Sequence, residues 1–211
     1  GCVSSVVSAV VNNALTLPVL TTSTTASTNC AVGKEDGISE VLTVDGTAVG
    51  VAVGYTYAWT GPVAPPFPVT NGVNNANTAK LIKVQGGAGY NYTVVVTNQG
   101  NGCQTNQALN VADAKVLPVI TLATVNNGIC NPALTVPAKT FSGKITATVT
   151  NQVGPLTDYT FAFGGGMGAG VAAANVYDQL NGGATAYTAT TTHTVTGCVS
   201  SVVSAVVNNA L

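Results

Sequence analysis

Five cysteines, one histidine and seven carboxylates are the side chains of this 211-residue chain best suited to chemistry. The cysteines are Cys2, Cys30, Cys103, Cys130 and Cys198, and no Cys-x-x-Cys occurs. Structural zinc sites draw four ligands, usually from two close pairs. His193 stands five residues before Cys198 with no second pair near it. Disulfide bonding is the chemistry this spacing favours, and it implies an oxidising compartment. His193 with Ser200 or Ser201 could form a hydrolytic pair, but a partner acid and a nucleophile elbow are both missing. The acids are Glu35, Asp36, Glu40, Asp45, Asp113, Asp158 and Asp178. Glycoside hydrolysis needs two carboxylates facing each other across a cleft, whereas Glu35-Asp36 reads as a solvated turn before a strand. Asp36-Gly37 and Asp45-Gly46 offer oxygens to a Ca²⁺ ion, but without a D-x-D-x-D arrangement turn chemistry explains both. GGGMGAG at 164–170 lacks the Gly-Lys-Ser/Thr ending of a phosphate loop and a following helix. It reads as a close-packed or flexible connection, bare enough to admit a neighbouring backbone. No catalytic residue, metal or cofactor is expected.

The frame that positions these residues is repetitive. Residues 1–15 and 197–211 are both GCVSSVVSAVVNNAL, which sets a period of 196 residues from Cys2 to Cys198. A diverged repeat divides that period in two. Gly86-Gly87-Ala88 matches Gly182-Gly183-Ala184, Tyr92 matches Tyr187, and Gly102-Cys103 matches Gly197-Cys198. Upstream, GYTYAWTGP at 54–62 matches DYTFAFGGG at 158–166, pairing Tyr55 with Tyr159 and Trp59 with Phe163. Leu-Pro-Val at 17–19 and 117–119 leads in each case to a further cysteine. The expected organisation is residues 1–16 as the last strand and linker of a preceding repeat, then domains at 17–117 and 118–211. The chain on this reading is a piece of a tandem array, slightly longer than one period.

Each repeat reads as β. Tyr55, Tyr57 and Trp59 alternate with Thr56, Ala58 and Thr60, the period of two that marks a half-buried strand. Residues 90–97 and 187–195 are dense in β-branched and aromatic residues, and 38–44, 79–84, 145–150 and 176–180 supply shorter strands. Asp-Gly and Asn-Gly turns at 36, 45, 71, 101 and 181 punctuate them. About seven short strands per hundred residues predicts immunoglobulin-like β-sandwiches, with Trp59 and Phe163 as core aromatics. In 199–207 the valines also fall on a helical stripe. The counterpart after Cys103 alternates instead, and valine is a poor helix former, so a last strand is expected there. With two cysteines in each unit, the expected bonds are Cys30–Cys103 and Cys130–Cys198. Cys2 is then half of a bond in the preceding repeat.

Composition removes several functions. Charged residues make up 6% of the chain, there is no arginine, and the six lysines are scattered. No basic face can be assembled to neutralise phosphates, so a nucleic-acid partner is excluded. No apolar run reaches the 18–20 residues of a membrane span, and no signal peptide is visible. A net charge of −1 does little to keep copies apart, so self-association is expected.

The stretch YNYTVVVTNQGNGC at 90–103, repeated loosely at 187–198, together with the aromatic strand YTYAW, resembles the tandem Ig-like and PKD-like repeats of large bacterial surface proteins. Gliding-motility adhesins of the Bacteroidota are among these. Phe163 in place of a second tryptophan and the glycine-rich 164–170 depart from that pattern. The resemblance implies a secreted, stalk-like or filamentous surface protein and no catalytic residues. The expected function is therefore structural, an extracellular fibre, filament or adhesin stalk of disulfide-stapled Ig-like domains. The expected partners are other copies of the chain, end to end and side by side. Two alternatives remain open. One is a separate subunit whose duplicated strand completes a neighbour's sandwich. The other is a glycan-binding module that uses Tyr55, Tyr57, Trp59, Tyr90 and Tyr92 as platforms.

Overall fold

The computed structural model describes residues 1–12, 15–62, 78–134, 139–166 and 170–210. The proline-rich 64–68, the Asn71-Gly72 turn and residues 167–169 of the glycine-rich stretch lie outside the described residues. By contact, the chain divides into two units. The first comprises Gly1–Thr25 and Gly37–Ala112, and the second Ala26–Asp36 and Asp113–Leu211.

The first unit holds β1 (Leu20–Thr25), β2 (Gly37–Val44), β3 (Thr47–Ala48), β4 (Tyr55–Thr60), β5 (Lys80–Val84), β6 (Asn91–Asn98) and β7 (Gln104–Asn110). One antiparallel sheet runs β1-β2-β3 with β5 also paired to β2, and the other runs β4-β6-β7. This division, with first, second and fifth strands facing fourth, sixth and seventh, is that of an immunoglobulin-type sandwich. Alternation drives it. In β6, Tyr92, Val94 and Val96 are buried while the residues between them stand outward. They meet Tyr57 and Trp59 of β4 and, from the other sheet, Val41, Val44, Leu81 and Val84. Trp59 is a core aromatic as expected, 4% exposed. Its indole N–H donates to the Thr78 carbonyl at 2.8 Å, so burial leaves no polar atom of the ring stranded. At the end of β2, Asp45 and Gly46 both take positive φ (50° and 77°), the backbone that a two-residue hairpin turn requires.

The second unit holds β8 (Ile120–Val125), β9 (Gly143–Val149), β10 (Tyr159–Gly165), β11 (Val171–Ala173), β12 (Val176–Leu180), β13 (Tyr187–His193), β14 (Cys198–Val199) and β15 (Val203–Ala205). Its sheets are β11-β12-β9-β8 and β10-β13, with β14 and β15 both paired to β13. Register supports the alignment drawn from sequence. Tyr55 faces Asn98 and Trp59 faces Val94 in the first unit, while Tyr159 faces His193 and Phe163 faces Ala189 in the second. Phe163 is only partly buried, however. Its partner is an alanine where Trp59 has a valine, and it stacks on Tyr177 with ring centroids 5.2 Å apart. The fully enclosed aromatic of this unit is Tyr187, 1% exposed. Gly166 lies against that ring, where a Cβ would come within 1.9 Å of Tyr187 Cε1, so this end of the glycine-rich stretch is closely packed.

Two expectations change. The last strand over 199–207 is broken into β14 and β15, whose registers on β13 differ by one residue. The extra residue is a bulge built around Ser200. Ser200 N–H donates to the Thr191 carbonyl at 2.8 Å, and Thr191 N–H donates to Ser200 Oγ at 2.9 Å. A hydroxyl thus takes the place of a ladder carbonyl. The unit boundary also differs, since residues 26–36 belong with the second unit rather than with 17–117, and the division falls after Ala112 rather than after Leu117.

Candidate functional site

Residues 26–36 are where the chain's covalent chemistry is found. The segment is anchored at its start by a parallel bridge between Ser27 and Asp113, with Ala114 N–H donating to the Ser27 carbonyl at 2.8 Å. Three residues on, the N–H groups of Cys30 and Ala31 both donate to the Thr196 carbonyl, at 2.8 and 3.2 Å. This carbonyl sits in the turn after β13, where Gly197 takes φ +70° and its N–H donates to His193 at 2.7 Å. Glycine is required there for φ and for space, because a Cβ would lie 2.3 Å from the Ala31 Cβ. The approach brings the Cys30 and Cys198 Cα atoms to 4.8 Å, and the two side chains form a disulfide.

This pairing corrects the expected one. Cys30 is joined to Cys198 and not to Cys103, and Cys130 is not joined to Cys198. Spacing within each repeat suggested local closure, but residues 26–36 fold with the second unit, so the bond closes 168 residues rather than about seventy. Cys2, Cys103 and Cys130 are free thiols, with Cys2 and Cys130 exposed and Cys103 buried.

Asp36 ties the far end of the segment back on itself. It accepts from the hydroxyls of Ser27 and Thr28 and from the backbone N–H groups of Thr28 and Asn29. Burial alone would raise its carboxyl, but these donors outweigh burial and hold it below the ordinary carboxylate value. Nothing in the sequence marked Asp36 for this role, although a Ser-Thr pair nine and eight residues before an aspartate fits a closed loop of this kind. Asp45, the other acid considered for Ca²⁺, is also occupied. It takes the Tyr55 hydroxyl at 2.6 Å and the Val19 N–H at 2.8 Å. The Tyr55 bond, then that from Val19, lower its carboxyl, while the Tyr55 phenol is raised by the same bond.

Glu35, expected in a solvated turn, is instead buried; its Oε1 accepts from Gly33 N–H at 3.0 Å and its Oε2 has no hydrogen-bond partner. Most of the other reactive residues have partners. His193 lies tilted against Tyr159 with ring centroids 4.8 Å apart, and its Nδ1 lies 2.8 Å from Thr196 Oγ1. The Ser200 hydroxyl is spent on Thr191 and on the Ser201 carbonyl. Glu40 pairs with Lys80 at 3.2 Å across β2 and β5, and Asp113 with Lys115 at 3.7 Å. Among the described residues no group of three or more His, Cys, Asp or Glu side chains could hold a metal ion. Of the aromatics that could serve as sugar platforms, Tyr57, Trp59 and Tyr92 are in the core, and only Tyr55 and Tyr90 are partly exposed. Among the described residues no helix is long and apolar enough to cross a membrane. The sequence matches no protein-family model. Nor does it match any curated protein.

Proposed function

We propose that this chain is a structural protein that builds an extracellular fibre, filament or adhesin stalk from tandem, disulfide-stapled sandwiches. The observation that carries the reading is the double fate of one sequence. At 197–211 it supplies β14 and β15 and buries Val207 completely. At 1–11 the same residues form no strand, and Val3, Val6, Val7, Val10 and Val11 are 88–96% exposed. An apolar stretch able to finish a sandwich, left uncovered, fits a chain that associates with its own kind. A disulfide suits an oxidising, extracellular setting, and the sparse charge leaves little repulsion between copies.

A second reading within this class is strand donation, in which residues 1–11 complete the sandwich of a neighbouring subunit. Their backbone, which belongs to no strand, favours it. Denaturing, reducing electrophoresis of the assembled material separates the two. Separate subunits run as a single band near 20.9 kDa, whereas a continuous array runs as one species many times larger. A protein that runs near 20.9 kDa and also stays a lone chain under all native conditions would end both.

A further inference from the structure

The free thiols Cys103 and Cys130 occupy the two halves of a site that exists complete elsewhere in the chain. The hairpin that ends in Cys103 is built like the one that ends in Cys198. Gly102 and Gly197 have φ +71° and +70°, and each donates its N–H at 2.7 Å, to Asn98 and His193 respectively. Cys103 N–H is capped by Asn101 Oδ1 at 2.9 Å where Cys198 N–H is capped by Thr196 Oγ1 at 3.4 Å. One difference stands out. At Gly197 a Cβ would strike Ala31, while at Gly102 nothing lies within 4 Å. The first hairpin is the second without a neighbour on its glycine, although Cys103 itself is buried.

A counterpart of the neighbouring segment is also present. Asn127 forms a parallel bridge with Asn209 as Ser27 does with Asp113, and both Asn127 and Ser27 are fully buried. Ala210 N–H donates to the Asn127 carbonyl at 2.8 Å, as Ala114 N–H does to Ser27. Cys130 follows Asn127 by three residues, as Cys30 follows Ser27, but Cys130 is exposed. The formed bond joins a cysteine after the first strand of one repeat to the last hairpin of the next repeat in sequence. Cys130 has the same need, and the next repeat in the series is a further copy of the first, whose last hairpin carries Cys103.

We propose that Cys130 of one copy and Cys103 of the following copy form the bond that Cys30 and Cys198 form within a copy, so that every successive pair of repeats is stapled. The proposal rests on the reading of the chain as a self-assembling repeat protein. Two thiols lose two protons and two electrons as the sulfur–sulfur bond forms. A small-molecule disulfide accepts them and leaves as two thiols.

The test is a chain of two copies joined in register, Leu211 followed by Thr16, refolded with oxidised glutathione. With Cys2→Ser, Cys103→Ser in the first copy and Cys130→Ser in the second, only the proposed inter-copy pair remains. Peptide mapping is expected to recover Cys130 of the first copy linked to Cys103 of the second, with both Cys30–Cys198 links present as the sign of correct folding. The reverse arrangement, with Cys130→Ser in the first copy and Cys103→Ser in the second, is expected to leave two alkylatable thiols. Two free thiols in the proposed arrangement, or linkage in both arrangements, overturns the staple. A Cys103–Cys130 link within one unmodified copy does so as well. The single copy is followed in parallel by sedimentation. Oligomers that form while both thiols stay free end the staple and leave the assembly reading standing, whereas a monomer in every redox state ends the assembly reading.

Discussion

GCVSSVVSAVVNNAL occurs twice, and the two copies share every residue and almost no structure. Val207 is 0% exposed and Val11, its identical partner 196 positions earlier, is 94% exposed. Val207 packs with Ile145, Tyr177, Leu180 and Tyr187, and a Cβ on Gly143 would strike both the Leu180 carbonyl and Val207 Cγ1. Nothing comparable surrounds residues 1–11. Strand formation in this sequence is therefore not a local property. Its valines favour extended backbone, but the ladder exists only where β13 supplies the partner groups and a core receives alternate side chains.

Matched substitutions at the two copies measure how much of each residue's role is context. The largest contrast is at the cysteines. Cys198→Ser opens a 168-residue loop and is expected to lower the stability of the second unit by up to about 5 kcal/mol on the chain-entropy account. Cys2→Ser is expected to change nothing measurable in urea unfolding of the monomer. A comparable loss from Cys2→Ser would mean that residues 1–15 fold within their own chain. Next, Val207→Ala is expected to cost about 2 kcal/mol through lost burial and a cavity, against less than about 0.5 kcal/mol for Val11→Ala. In assembled material the gap is expected to narrow, with Val11→Ala lowering the dissociation temperature if residues 1–11 dock on another copy. At Ser200→Ala, Thr191 N–H loses its partner inside the bulge, a cost of about 1–2 kcal/mol, while Ser4→Ala is expected to be neutral.

The smallest effect concerns the segment that carries Cys30. Asp36 is held below its unfolded value, so its contribution is fully present above about pH 4 and is lost as pH falls through the lowered folded value. Asp36→Asn is expected to cost less than about 1 kcal/mol at pH 7, given solvent screening. Its stability curve should converge on that of the parent chain as pH falls through the lowered folded value. Curves that keep a constant gap as the pH falls would show that the cost of Asp36→Asn does not come from the carboxylate charge.

Much of the β architecture could be read from residue order because alternation is a local signal. Tyr57 and Trp59, and then Tyr92, Val94 and Val96, announce which face is inward, and Asp45-Gly46 announces its turn. The disulfide could not be read this way. Whether Cys30 meets Cys103 or Cys198 depends on which unit residues 26–36 fold with. That choice is decided by groups remote in sequence, the Thr196 carbonyl, the bare face of Gly197 and the Asp113 bridge. The bulge escaped for a related reason. Ser200 looks like any outward serine until Thr191 needs an acceptor. Phe163 matched Trp59 in position, but its burial depended on Ala189 across the ladder.

The Cys30–Cys198 bond also decides how the chain would answer tension. Force applied at the two ends travels from Gly1 to Cys30, crosses the sulfur–sulfur bond and leaves through Cys198 to Leu211. Residues 31–197, with nearly all the strands, lie outside the loaded path. Fully drawn out, the oxidised chain could lengthen to only about 150 Å, against about 740 Å once the bond is reduced. The bond thus acts as a stop on extension, with most of the fold slack behind it.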